Sequence, residues 1–144
     1  MSDTDLALKL WVVLSRAHRA IGRAARRDID RHDLGYTEFA VLEALYHKGD
    51  LAIGEVGERV LLTSGSMTYV IDKLEKRGLL ERRECPTDQR ITYLHITADG
   101  RRRMREIFPE HAEAIRTAMA SLTADEKREA IALLKKLGFG AQER

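Results

Sequence analysis

Apolar residues recur at helical spacing along most of the chain and turn strand-like only in a short central stretch. From Asp5 to about Arg31, one side of a long helix is traced by Leu6, Leu10, Val13, Leu14, Ala17, Ile21, Ala24, Ala25 and Ile29. A helix of that length exceeds one small core, so part of it is expected to pack on a second subunit. Leu34-Gly35-Tyr36 interrupts the pattern. Thr37 is the expected N-cap of a second helix, running to about Lys48 with Phe39, Val41, Leu42 and Leu45 inward. Gly49-Asp50 reads as a turn, Leu51-Ala52-Ile53 as a very short strand, and Gly54 to Val60 as a short helix with Val56 and Val60 inward.

The next helix, Thr63 to Gly78, has the sequence TSGSMTYVIDKLEKRG. Thr63 is its expected N-cap, and Gly78 its C′ residue, where a left-handed backbone costs glycine little. Lys76 and Arg77 in the last turn suit the helix dipole. Met67, Val70, Ile71 and Leu74 form a buried stripe. The opposite face carries Ser64, Gly65, Ser66, Thr68, Tyr69 and Lys73. Small hydrogen-bonding groups let a helix end come close to a partner, and its free N–H groups favour phosphate. That composition suits insertion in a DNA major groove; an ordinary surface helix is the alternative.

Leu79 to Arg83 and Arg90 to Ile96 read as two strands, with Pro86-Thr87-Asp88-Gln89 as the turn between them. A hairpin placed after a helix–turn–helix is a wing. Arg90 at its tip suits a narrow, electronegative minor groove, with Asp88 orienting it; a free surface ion pair is the alternative. Thr97-Ala98-Asp99-Gly100 opens a further helix, whose first turns carry Arg101, Arg102, Arg103 and Arg105. Cations are unfavourable there, so either DNA phosphate or neighbouring carboxylates are expected beside them. Pro109 is expected to kink or restart this helix. Thr123-x-x-Glu126 is a capping box for a last helix, with Ile131, Leu133, Leu134 and Leu137 apolar and Gly138 as its stop. The terminal helices hold more apolar surface than a lone winged domain buries, which assigns them to a dimer interface.

Charge sharpens this picture. The net charge is only +2, yet residues 63–105 hold ten Lys/Arg against six Asp/Glu. A basic middle between near-neutral ends suits a polyanion. The arginines at 16, 19, 23, 26 and 27 form a second basic stripe, read as a solvated face partly neutralised by Asp28 and Asp30. No apolar run is long enough for a membrane span, and the start MSDTDLALKLWVVL is acidic before its apolar part, unlike a secretory signal. A cytoplasmic location is expected.

Catalytic chemistry finds little support. Tyr69-x-x-x-Lys73 matches the tyrosine–lysine spacing of short-chain dehydrogenases, but no Gly-rich βαβ unit accompanies it. The chain holds no H-E-x-x-H, G-x-S-x-G or Walker loop. The single cysteine, Cys85, excludes an internal disulfide framework, and the five histidines (18, 32, 47, 95, 111) show no metal-ligand spacing. The expectation is a non-enzyme without metal or cofactor.

Residues 54–100 (GEVGERVLLTSGSMTYVIDKLEKRGLLERRECPTDQRITYLHITADG) carry, in order, the helix–turn–helix, the LEKRGLLERR exit, the wing D-x-R and the closing IT-x-x-G. Together they resemble the MarR family of transcriptional regulators, and the resemblance covers nearly the whole chain. It implies a mainly α (α+β) fold: a single domain over 1–144, with a winged helix-turn-helix core at 37–98 and dimerisation helices at 5–32 and 101–140. It implies a homodimer on a pseudo-palindromic operator in double-stranded DNA, usually as a repressor. The DNA contacts implied are Thr63, Ser64, Gly65, Ser66, Thr68, Tyr69, Lys73, Asp88 and Arg90. The helix from Ser64 would enter the major groove and Arg90 the minor groove.

The family also implies release by a small-molecule effector or by oxidation. Cys85 is one candidate sensor, because Arg82 and Arg83 beside it would lower its pKa; a chemically quiet cysteine is the alternative. Trp11, His18, Tyr36 and His47 are candidates to line a cleft for a phenolic or quinone ligand, with core packing the ordinary role for each. The competing reading of the whole chain is a winged-helix interaction scaffold without sequence-specific DNA binding.

Overall fold

The computed structural model describes residues 1–60 and 64–142. Six helices and three strands follow in the order α1 (Asp3–Asp30), α2 (Tyr36–Lys48), β1 (Leu51–Ala52), α3 (Ile53–Val60), α4 (Ser64–Lys76), β2 (Leu80–Glu84), β3 (Thr92–Ile96), α5 (Ala98–Ala118) and α6 (Ala124–Gln142). The strands form an antiparallel sheet in the order β1-β3-β2, with Leu51 opposite Leu94 and Leu80 opposite Ile96. Leu80, Leu94 and Ile96 turn inward there and join the core of α2, α3, α4 and α5.

The stripe Met67, Val70, Ile71 and Leu74 is buried, as its spacing predicts. On α1 the same pattern has two fates. Ala25 and Ile29 are buried, whereas Leu6, Leu10 and Val13 are exposed. The C-terminal end of α1 belongs to the core, and its N-terminal half extends past it. None of the α6 residues described is buried.

Several element ends differ from the expectations, each for a local reason. Gly35, not Thr37, is the N-cap of α2; the Glu38 carboxylate accepts from its N–H at 3.2 Å and fixes the start two residues earlier. Ile53 opens α3 rather than ending β1. Leu79 stays out of β2 because its N–H bonds to the Leu74 carbonyl at 3.1 Å, while the Gly78 N–H bonds to Glu75 at 3.0 Å. That pair of bonds is a Schellman closure, and Gly78 takes φ +73° at its C′ position. Arg90 precedes β3, in a turn where its N–H binds Asp88 Oδ1 at 3.0 Å.

Pro109 does not restart α5, which is continuous from Ala98 to Ala118. Gly138 does not stop α6, which continues to Gln142; glycine inside a helix is a modest cost, not a terminator. The Thr123 box is formed, with the Thr123 N–H donating to Glu126 Oε1 at 2.9 Å and the Glu126 N–H to Thr123 Oγ1 at 3.2 Å. The N-cap assigned to Thr63 lies outside the described residues.

Candidate nucleic-acid interface

α4 is held from three directions. Its apolar stripe enters the core, its Schellman turn leads into β2, and ion pairs clamp its last turns. The Glu38 carboxylate, buried at the start of α2, accepts from Lys73 Nζ at 3.2 Å and Arg77 Nη1 at 3.3 Å. Arg77 also donates to the Asp33 carbonyl at 3.0 Å. Arg82 of β2 reaches back to α4, binding Asp72 at 2.6 Å and also Glu75, and Asp72 holds its pKa above the ordinary value. These contacts fix the angle at which α4 leaves the body of the domain.

The outward face of α4 is what this clamp presents. Ser66, Thr68 and Tyr69 are exposed, Tyr69 to 69%. The side chains of Ser64 and Gly65 lie outside the described set, as does Thr63. Lys73 belongs to the clamp as much as to the face, since its ammonium sits on Glu38.

Past β2 the chain closes the wing loop with bonds of 3.1 Å from Cys85 N–H to the Ile91 carbonyl and from Ile91 N–H to the Asp88 carbonyl. Arg90 stands on this loop with 90% of its side chain exposed. Its Nε and Nη2 each donate to the Asp88 carboxylate at 3.1 Å. That pairing holds the Asp88 carboxyl below its usual range and the Arg90 guanidinium above its own. The expected D-x-R pair is therefore formed, with the cation presented outward.

Two of the arginines opening α5 have protein partners. Arg102 pairs with Asp99 at 2.7 Å; Arg103 donates to the His32 carbonyl and lies 4.0 Å from Glu106. Carboxylates thus stand beside Arg102 and Arg103, one of the two alternatives expected there.

The candidate sensors separate. The Cys85 thiol is partly buried and lies 3.4 Å from Thr87 Oγ1. Its pKa is lowered, but by hydrogen bonding from Thr87 rather than by Arg82 and Arg83. Those arginines are turned to carboxylates, Arg82 to Asp72 and Glu75, Arg83 to Glu81 at 2.7 Å. His18, Tyr36 and His47 do come together, lining a cleft of about 550 Å³ with Arg26, Glu43 and Arg59. The Arg26 guanidinium stacks 4.4 Å above the Tyr36 ring. Trp11 does not line this cleft. Core packing is corrected for all four: Trp11, His18, Tyr36 and His47 are exposed. Spacing along the chain also hid the meeting of His32 with His111, which approach the same carboxylate, Asp28, from the end of α1 and from α5.

A short helix, a polar-faced helix that begins four residues after it ends, and an arginine-tipped hairpin define a winged helix-turn-helix DNA-binding protein. The MarR family model matches residues 34–92. The chain is 45% identical to the HTH-type transcriptional regulator MhqR of Bacillus subtilis, over 97% of each chain. It belongs to the MarR family of transcriptional regulators, which are non-enzymatic DNA-binding proteins. Sco3205, a MarR family regulator from Streptomyces coelicolor solved in complex with DNA, shares the fold at a TM-score of 0.83 and 20% identity, covering 98% of this chain and 93% of its own. BpsR of Bordetella bronchiseptica, whose DNA binding is regulated by 6-hydroxynicotinic acid, matches at a TM-score of 0.79 and 25% identity, over 90% of this chain and 98% of its own. Among the described residues, no helix is long and apolar enough to cross a membrane.

Proposed function

We propose that the protein is a homodimeric, sequence-specific repressor acting in the cytoplasm, released from its operator by a small aromatic ligand. The observation that carries the DNA reading is the pairing of the exposed polar face of α4 with Arg90 held outward on the adjoining wing. In this reading α4 enters the major groove, with Ser66, Thr68 and Tyr69 at base edges and Thr63, Ser64 and Gly65 at its leading end. Arg90, oriented by Asp88, enters the minor groove. Lys73 supplies positive charge and steadies the helix through Glu38. Two-fold symmetry places the half-sites roughly 10 bp apart.

The cleft of His18, Tyr36 and His47 is the proposed effector site. It lies between α1 and α2, where a bound phenol or quinone would bias the angle between the long helix and the winged core. Its imidazoles and guanidiniums suit a hydroxylated or anionic aromatic ring, the chemistry of the ligand named for BpsR. Release requires that the ligand prefer the shape that does not fit DNA. Oxidation or alkylation of Cys85 is the second route, because an adduct at that position would displace the wing.

The test is a shift assay on the DNA upstream of the protein's own gene, across a salt series, with phenols, quinones and peroxides added in turn. Saturable, sequence-selective binding whose affinity falls steeply with salt supports the reading. Indifference to DNA sequence rejects it in favour of an interaction scaffold.

A further inference from the structure

The last turn of α1 and the middle of α5 bring four metal-ligating side chains together away from the DNA face. Asp28 lies in the last turn of α1, His32 follows in the turn after it, and Glu110 and His111 come from α5. Three of them are nearly enclosed: side-chain exposure is 4% for Asp28, 10% for His111 and 14% for His32. Asp28 Oδ2, His32 Nε2 and His111 Nδ1 are buried without a well-formed hydrogen bond, although the first and last face one another at 3.3 Å. Native proteins seldom leave such groups unpaired.

The separations around His32 point to what would satisfy its Nε2. His32 Nε2 lies 3.4 Å from Glu110 Oε2 and 3.7 Å from Asp28 Oδ1. One ligand atom from each of Asp28, His32 and Glu110 falls within 4.8 Å of the others. Charge-assisted hydrogen bonds are shorter, about 2.7–2.9 Å. Atoms about 2.0–2.1 Å from one tetrahedral ion stand about 3.3–3.4 Å apart, which the His32–Glu110 pair already matches and the His32–Asp28 pair approaches.

We propose that Asp28, His32 and Glu110 bind a divalent transition-metal ion, with His111 as the positioning residue for Asp28. The imidazole favours such an ion over Mg²⁺ or Ca²⁺. His111 Nδ1 lies 3.3 Å from Asp28 Oδ2, the oxygen turned away from His32, and the imidazole packs on Phe39 at 4.5 Å between ring centroids. A histidine so placed orients a ligating carboxylate from behind. The groove between α1 and α5, lined by Asp28, Arg31 and Glu110, is the route of entry. Arg31 competes: its Nη2 lies 2.9 Å from Asp28 Oδ1 and 3.4 Å from Glu110 Oε2, but most of its side chain is exposed and free to swing out. The ion replaces that guanidinium and fastens the end of α1 to α5, where the long helix joins the winged core.

The experiment uses the untagged full-length protein in metal-free buffer, without DNA, so its outcome is independent of operator binding. Zn²⁺ is titrated by calorimetry, and Co²⁺ is followed by its visible ligand-field bands. One saturable ion per chain is expected, with bands that mark protein ligands. His32→Gln and Glu110→Gln should each weaken binding at least tenfold, and His111→Gln by about 10–100-fold. Arg31→Gln should tighten it. Glu110 is largely exposed, so its variant keeps the fold and remains informative if the buried ones do not. Absence of saturable binding overturns the proposal, as does equal affinity in Glu110→Gln and the unsubstituted chain.

Discussion

Arg90 folds back onto Asp88 through two parallel contacts, Nε to Oδ1 and Nη2 to Oδ2, each 3.1 Å. The pair does not neutralise the wing so much as aim it, since the arginine remains almost wholly exposed. Asp88 titrates below the ordinary carboxylate range because the guanidinium donates to it. A depressed carboxylate pKa means the contact is complete at neutral pH and is lost only as pH falls through that lowered value.

Arg90→Ala should therefore weaken operator binding by about 1–3 kcal/mol, the scale of a good groove contact, and reduce the slope of log affinity against log salt by about one. Asp88→Ala keeps the Arg90 cation but loses its aim, so its loss should be smaller. Fluorescence anisotropy over a salt series measures both. An unchanged affinity for Arg90→Ala would remove the wing tip from the interface.

The α4 face predicts a division of labour. Ser66→Ala and Tyr69→Ala should relax sequence preference, because in the proposed docking their hydroxyls meet base edges. Lys73→Ala should instead cost about 1 kcal/mol of folding stability, since Lys73 holds Glu38, while Arg77 and the Gly35 N–H remain to satisfy that carboxylate. Selection from a randomised operator library separates the cases. If all three variants lose affinity uniformly across sequences, base reading by this helix is refuted.

Cys85 should react faster with electrophiles at neutral pH than an ordinary thiol. The hydrogen bond from Thr87 favours the thiolate, so its pKa is lowered. Thr87→Val should move the pH profile of iodoacetamide alkylation to higher pH, whereas Arg83→Gln should leave it nearly in place because that arginine is engaged by Glu81. The reverse order would restore the arginines as the cause.

That reversal illustrates what a sequence can carry. Buried stripes such as Met67, Val70, Ile71 and Leu74 are legible because helical period alone decides which residues face inward. The Asp88–Arg90 clip is legible because its partners are two positions apart on one turn. Arg82 is not: it stands three positions from Cys85 along the chain, but the strand–helix packing turns it to Asp72 and Glu75. The same limit hid His32 and His111, which only the packing of α5 against α1 brings to Asp28. The start of α2 is hidden because its N-cap is a glycine rather than a hydroxyl residue such as Thr37, with Glu38 accepting from the Gly35 N–H.

Gly100 explains a residue in the closing IT-x-x-G that pattern alone leaves unexplained. Its N–H caps onto Thr97 Oγ1 at 3.0 Å, and Thr97 in turn donates to the Gly78 carbonyl at 2.6 Å. A Cβ at position 100 would fall 2.1 Å from the Leu79 carbonyl oxygen and 2.7 Å from Ile96 Cγ1. Backbone cannot yield as a side chain does. Gly100→Ala should cost about 3 kcal/mol, the upper end of overpacking, and lower Tm by roughly 6–12 °C for a chain of this size. A Tm within a degree of the parent would mean that the α5–β2 junction opens at little cost.

The terminal helices make the last prediction. Leu10, Trp11 and Val13 on α1, and Leu133, Leu134, Leu137 and Phe139 on α6, are exposed although their spacing is that of buried stripes. An amphipathic helix gains little in water until its apolar side is covered, and a two-fold partner would cover both arms with the same residues. Leu134→Glu should leave the winged core folded, because no described residue of α6 is buried in it. It should shift sedimentation from dimer to monomer and weaken operator affinity by about 10²–10⁴-fold, as the second half-site loses its tethered partner. A parent protein that sediments as a monomer at micromolar concentration, or a Leu134→Glu variant that still binds both half-sites with parental affinity, would detach these helices from dimerisation and leave their apolar sides to some other partner.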